Sequence, residues 1–188
     1  MPEKASRYSS TAIVLHWLIG LALLGMVALG FYMTGMKLSP LKLQVFSWHK
    51  WAGISILALV LVRMAWRVVS PPPALPGHMS PLAKLVAHLG PLALYVLMLG
   101  IPLTGWLMSS AKGFQTVWFG VLPLPDLIGK NLELGRMLSG AHLALNVALL
   151  VLVVGHVVAA LVHQFVRKDG TLYRMVPVAR LRPQISVE

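Results

Sequence analysis

Seven histidines stand in this chain of 188 residues, and six of them fall inside long apolar runs: His16, His49, His88, His142, His156 and His163. An ionisable side chain is costly in such a run and generally serves a site there. His142 and His156 are fourteen residues apart, which on an α-helix is about 21 Å of rise and a return to within about 40° of the starting direction. One helix therefore presents two imidazoles on one face at two depths. Imidazole is an axial ligand of haem iron, and bis-histidine coordination takes one ligand from each side of the flat ring. Cysteine is absent, which removes disulfides, iron–sulfur clusters and covalent c-type attachment. Any haem must be held by coordination alone.

Depth relative to the flanking basic residues pairs the ligands. His49 lies seven residues after Lys42 and His142 six after Arg136, while His16 is nine from Arg7 and His156 eleven from Arg167. The reading is His49 with His142 for an outer haem b, and His16 with His156 for an inner one. His88, four residues from Lys84, and His163, four from Arg167, are shallower. His163 lies about 10 Å beyond His156 on its helix, where a propionate, a quinone headgroup or a snorkelling interfacial position would suit it. A competing pairing of His88 with His163 leaves one deep histidine without a partner. Arg63, fourteen residues after His49, lies near the inner level, where a haem propionate or the positive-inside bias accounts for it. Gly20 and Gly53, each four residues beyond a ligand candidate, would admit a porphyrin close to the backbone or serve helix packing. His78, in a proline-rich loop, receives no role.

The elements that position these residues follow from composition. With 57% hydrophobic and 11% charged residues, the chain carries more apolar surface than a soluble domain of its size buries. Four runs reach the roughly 20 residues that a bilayer core requires, at about 12–34, 48–69, 83–108 and 138–166. The expected fold is an all-α membrane protein, one four-helix bundle over 1–188, with the N-terminal run retained as a helix because it exceeds a signal-peptide core. Pro71, Pro72, Pro73, Pro76 and Pro81 exclude helix between the second and third spans. Pro102 is expected to bend the third. Trp17, Trp48, Trp51, Trp66 and Trp106 fall near span ends, at headgroup level.

The net charge of +11 sits between apolar runs, without the aromatic interleaving of a nucleic-acid surface, so the anionic partner is a membrane surface. Four spans put both termini on one side. Ten basic residues fall there (Lys4, Arg7, Arg63, Arg67, Lys84, Arg167, Lys168, Arg174, Arg180 and Arg182) against six opposite (Lys37, Lys42, Lys50, Lys112, Lys130 and Arg136). That bias places the termini in the cytoplasm.

The chain resembles the bacterial cytochrome b561 family, and within it the small stand-alone superoxide oxidases. The matching stretches are Tyr8 with Leu15-His16-Trp17, His49 with Gly53-Ile54-Ser55 and Arg63, Ala87-His88-Leu89-Gly90, and His142, Gly155-His156, His163 and Lys168-Asp169-Gly170-Thr171-Leu172. Pro91 stands where some members carry a second histidine. The resemblance implies haem ligation by His16, His49, His142 and His156, a multi-pass location in the bacterial inner membrane, and electron transfer from periplasmic superoxide to ubiquinone. The outer cations would steer the superoxide anion against only two outer acids, Asp126 and Glu133, with Lys112 the first choice for a substrate-facing charge.

Two other functions would leave different marks on the sequence. A cytochrome b subunit passing electrons between a partner dehydrogenase or hydrogenase and quinone would show an extended docking surface, and the short termini offer little. A haem-free transporter would carry acids within its spans, whereas all five acids lie at termini or in loops.

Overall fold

A computed structural model describes residues 7–74 and 80–176. Lys4, Pro76, His78, Arg180 and Arg182 lie outside the described residues. Three of the four long helices are started by serine caps. In α1 (Ser10–Gly35) Ser9 Oγ accepts from the Ala12 amide, in α2 (Pro40–Val69) Ser39 Oγ accepts from Lys42, and in α3 (Pro81–Ala111) Ser80 Oγ accepts from Ala83. Pro40 and Pro81 follow their caps directly, where a missing N–H costs nothing and φ is already helical. Asn131 caps α4 (Leu132–Leu161), with Glu133 in the first turn beside the positive end of the helix dipole. These caps sit upstream of the apolar runs, so the helices α2, α3 and α4 begin before the spans read at 48, 83 and 138.

All four helices are long and apolar enough to cross a membrane. Ser70 and Pro71–Pro73 end α2 because a residue before proline is pushed out of the helical region. Gly113, at φ +76°, turns the chain away after α3. α3 runs through both Pro91 and Pro102. Past α4 the chain continues as a π-helical turn, Val162–Arg167, ends in left-handed Lys168, and makes a 3₁₀ turn at Leu172–Arg174.

Substantial backbone packing runs from α1 to α2, α2 to α3 and α3 to α4, and α4 forms no comparable interface with α1 or α2. The tight core is small. Ile19, Ile56 and Val60 are buried together, with Met26, Tyr95 and Met98 packed around them. Leu21, Phe31, Val68, Leu92 and Val151 point outward, as side chains solvated by lipid do.

Each end of the bundle is tied across helices. At the terminal end the Arg7 guanidinium and the Trp17 indole donate to the Val176 and Met175 carbonyls at 2.7 and 2.8 Å, and Trp66 donates to Ser9 Oγ at 2.9 Å. At the other end a hairpin that the apolar runs did not announce pairs β1 (Val117–Trp118) with β2 (Leu122–Pro123). Its three-residue loop, Phe119 to Val121, turns through positive φ at Phe119 and Gly120, the left-handed backbone that tight hairpin turns use. The hairpin is moored on α2: the Trp51 indole donates to Val117 O, and the Trp118 indole is shared between Trp51 O and Ser55 Oγ. Trp17, Trp51, Trp66 and Trp106, read as headgroup anchors, thus also spend their N–H groups on fastening loops and helix ends.

Candidate functional site

The bundle brings four of the six span histidines together as two pairs. The His49 and His142 rings stand 6.4 Å apart, centroid to centroid, and those of His16 and His156 stand 6.0 Å apart. Both pairs cross the part of the bundle where α4 keeps its backbone away from α1 and α2. A metal–imidazole bond of about 2 Å on each side, with roughly 1 Å more from nitrogen to ring centre, places two axial imidazoles about 6 Å apart. The remaining two histidines are elsewhere and do not meet. His88 is exposed, its Nδ1 2.7 Å from its own helix's Lys84 O, and His163 is bonded to Asp169.

The outer pair is seated by α3. His142 Nδ1 lies 3.0 Å from the Ile101 carbonyl, which also accepts from Thr104 Oγ1 at 2.8 Å. A ring N–H on a backbone carbonyl fixes the tautomer and leaves Nε2 for a metal. Gly105 makes the seat possible, since a Cβ there would stand 3.2 Å from His142 Cε1. His49 rests against Gly30, and its Nδ1 is buried with no partner among the described residues. One turn outward from His142, Ser139 Oγ accepts from Lys112 Nζ at 2.7 Å. Gly135 clears the path of that lysine, because a Cβ would come within 2.9 Å of Lys112 Cγ. The Lys50 ammonium reaches Gln115 O at 3.2 Å, and that of Lys42 reaches Met36 O at 2.7 Å. Half of the outer cations are therefore held by protein groups and do not swing free in solvent.

At the inner pair, Arg63 donates from Nη1 to Ala12 O at 2.6 Å and from Nε to the Tyr95 hydroxyl at 3.1 Å. Ala12 O is the carbonyl one turn before His16, so this cation is held at the level of the inner pair. A Cβ on Gly20 would meet nothing within 4 Å, and one on Gly155, beside His156, would meet nothing either. Open space next to two facing imidazoles is what a broad flat ring needs.

Beyond the inner pair, His163 Nδ1 is 2.5 Å from Asp169 Oδ2, and Asp169 Oδ1 accepts from the Thr171 amide. Burial pushes the Asp169 carboxyl up, but the hydrogen bonds from Thr171 and His163 outweigh it and hold the group down at about 2. The sequence had offered Lys168-Asp169-Gly170 only as part of a resemblance, and Asp169 received no role. The seat at Ile101, Thr104 and Gly105 was missed as well; the small Thr104-Gly105 step in an apolar span was its one visible sign.

These donor sets fit haem better than a bare ion. Among the described residues no cluster of three or more His, Cys, Asp or Glu gathers, and two nitrogens are too few for an ordinary metal site. Two is the number a tetrapyrrole leaves open. A family model described as prokaryotic cytochrome b561 matches residues 7–178. The chain belongs to that family. This cytochrome b561 is 34% identical to cytochrome b561 homolog 2 of Escherichia coli K12, over 90% of its own length and 91% of that protein. It is 30% identical to the probable superoxide oxidase CybB of Yersinia pestis, over 93% and 98% of the two chains, and 28% identical to E. coli cytochrome b561 homolog 1, over 92% and 98%. The family is one of haem b-binding, membrane-embedded electron-transfer proteins, and four membrane-length helices agree with it.

Proposed function

We propose that this cytochrome b561 holds two haem b groups, oxidises superoxide at the outer end of the bundle and reduces ubiquinone at the terminal end, which faces the bacterial cytoplasm. The observation that carries the reading is the pair of imidazole pairs: His49 with His142 at 6.4 Å and His16 with His156 at 6.0 Å between ring centres, a separation that admits one metal ion between each two rings. The charge bias of ten basic residues against six favours termini inside. The likeness to a relative named a probable superoxide oxidase supports the donor.

Haem b, when bound by His49 with His142 and by His16 with His156, would supply one-electron oxidation and reduction. The protein does the rest. Lys112, propped by Ser139 one turn from His142, puts a positive charge near the outer pair. With the exposed Lys37, Lys130 and Arg136 it raises the local concentration of a small anion. Ile101 and Thr104 hold the His142 ring in register. Arg63, fixed by Ala12 and Tyr95, would offer a cation to a propionate at the inner level and would favour an added electron there. In the balanced reaction two superoxide ions each lose one electron to become dioxygen, and one ubiquinone takes both electrons with two protons.

Stopped-flow absorbance tests the reading. Purified oxidised protein mixed with superoxide should be reduced within the mixing experiment, and a short-chain ubiquinone should then re-oxidise it. Failure of superoxide to reduce it would remove the donor, and failure of quinone to re-oxidise it would remove the acceptor.

A further inference from the structure

Reduction of a quinone at the terminal end needs protons as well as electrons. Arg63 is spent on Ala12 O and the Tyr95 hydroxyl, and the imidazoles of the inner pair would be taken up as ligands. One group at that end is built differently. His163 lies two turns past His156, about 10 Å along the helix, inside the π-helical turn Val162–Arg167. Such turns are rare and frequent at functional sites. Its Nδ1 is committed to Asp169 at 2.5 Å, and its side chain retains 22% exposure. Asp169 is held in turn by the Thr171 amide, with left-handed Lys168 and Gly170 on either side bending the chain back toward α4. The next residue, Gln164, has its Nε2 fixed on the Tyr173 hydroxyl and its Oε1 buried with no partner among the described residues. A carboxylate-oriented imidazole beside an unspent carbonyl acceptor matches a ligand that receives a proton on one oxygen and presents a hydroxyl once reduced.

We infer that His163 is the proton donor to the quinone, that Asp169 is the positioning residue which fixes its ring, and that Gln164 accepts from the quinol hydroxyl. The inference rests on ubiquinone being the acceptor. As each electron reaches the quinone, the protonated imidazole breaks its Nε2–H bond and a quinone O–H bond forms. The neutral ring then regains a proton from water at the terminal side. Two electrons, from two superoxide ions, and two such transfers give one quinol.

The test uses full-length protein with haem bound, reduced beforehand with dithionite, and follows re-oxidation by a short-chain ubiquinone and separately by ferricyanide, which takes an electron and no proton. His163→Gln should slow re-oxidation by quinone about 100-fold, in the range of general acid catalysis, while the haem spectrum and the ferricyanide rate stay at wild-type values. Added imidazole should restore part of the quinone rate to His163→Ala. Asp169→Asn should give a smaller loss in the quinone reaction alone, and Asp169→Glu should recover part of it. Wild-type quinone rates in both His163→Gln and Asp169→Asn overturn the inference. So does equal slowing with both oxidants, or loss of a haem, either of which makes the pair structural. A wild-type protein that ferricyanide oxidises and quinone does not would sink the acceptor itself, a result distinct from any variant effect.

Discussion

At the scale of single residues, the proposed haem sites are shaped by groups that would not themselves touch the iron. Gly105 is the clearest case, because the His142 ring already lies where its Cβ would begin to press. Gly105→Val should displace that ring from the Ile101 carbonyl, at an overpacking cost of about 1–3 kcal/mol, and should lower occupancy of the outer site while the inner is retained. Haem-to-protein ratio measures it. Asp169 gives a pH signature. Its carboxyl is held at about 2 against an ordinary 3.8, so the folded state favours the ionised form. The stabilisation this provides is present above pH 3.8 and is lost as pH falls toward 2. In thermal melts in detergent, Asp169→Asn should be less stable than wild type at neutral pH, and the gap should close over that acid window. A gap that is unchanged at the acid limit would contradict the assignment.

At the scale of elements, helix geometry made the two pairs legible before any fold was known. Fourteen residues on one helix fixed two depths for His142 and His156, and flanking lysines and arginines fixed the depths of His16 and His49 on others. Lateral placement was not legible. That α3 seats the His142 ring through Ile101 and Gly105 depends on which helices adjoin, and an apolar span carries almost no pattern that says which face meets a protein neighbour and which meets lipid. The hairpin escaped for another reason: strands of two residues have no period to read. Its Phe119-Gly120 turn makes it testable. Gly120 sits at φ +74°, and Gly120→Val, β-branched in a left-handed position, should cost about 1–2 kcal/mol locally. The Trp118 and Trp51 indoles should then move toward water, seen as a red shift in tryptophan emission and faster proteolysis between 112 and 131.

At the scale of the whole molecule, charge and lipid divide the work. The apolar helix faces place the bundle in the bilayer; on the proposed reading the excess of basic residues would orient it, and cations on the outer end would gather a small anion from solution. That attraction is screened by salt. The rate of reduction by superoxide should fall steadily as ionic strength rises toward 0.15 M, where the screening length is about 8 Å. Lys112→Met should lower the low-salt rate about tenfold without loss of haem, since among the described residues the Lys112 ammonium bonds to the Ser139 hydroxyl and not to a histidine. A salt-independent rate would mean that the outer charges serve topology alone.

The central claim is that two histidine pairs hold two haems, and haem stoichiometry by reduced-minus-oxidised absorption tests it most directly across single alanine variants of the span histidines. The account predicts two b-type haems per wild-type chain, one in each of His49→Ala, His142→Ala, His16→Ala and His156→Ala, and two in His88→Ala and His163→Ala. One haem in the wild type, or loss of a haem in His88→Ala or His163→Ala, would contradict it.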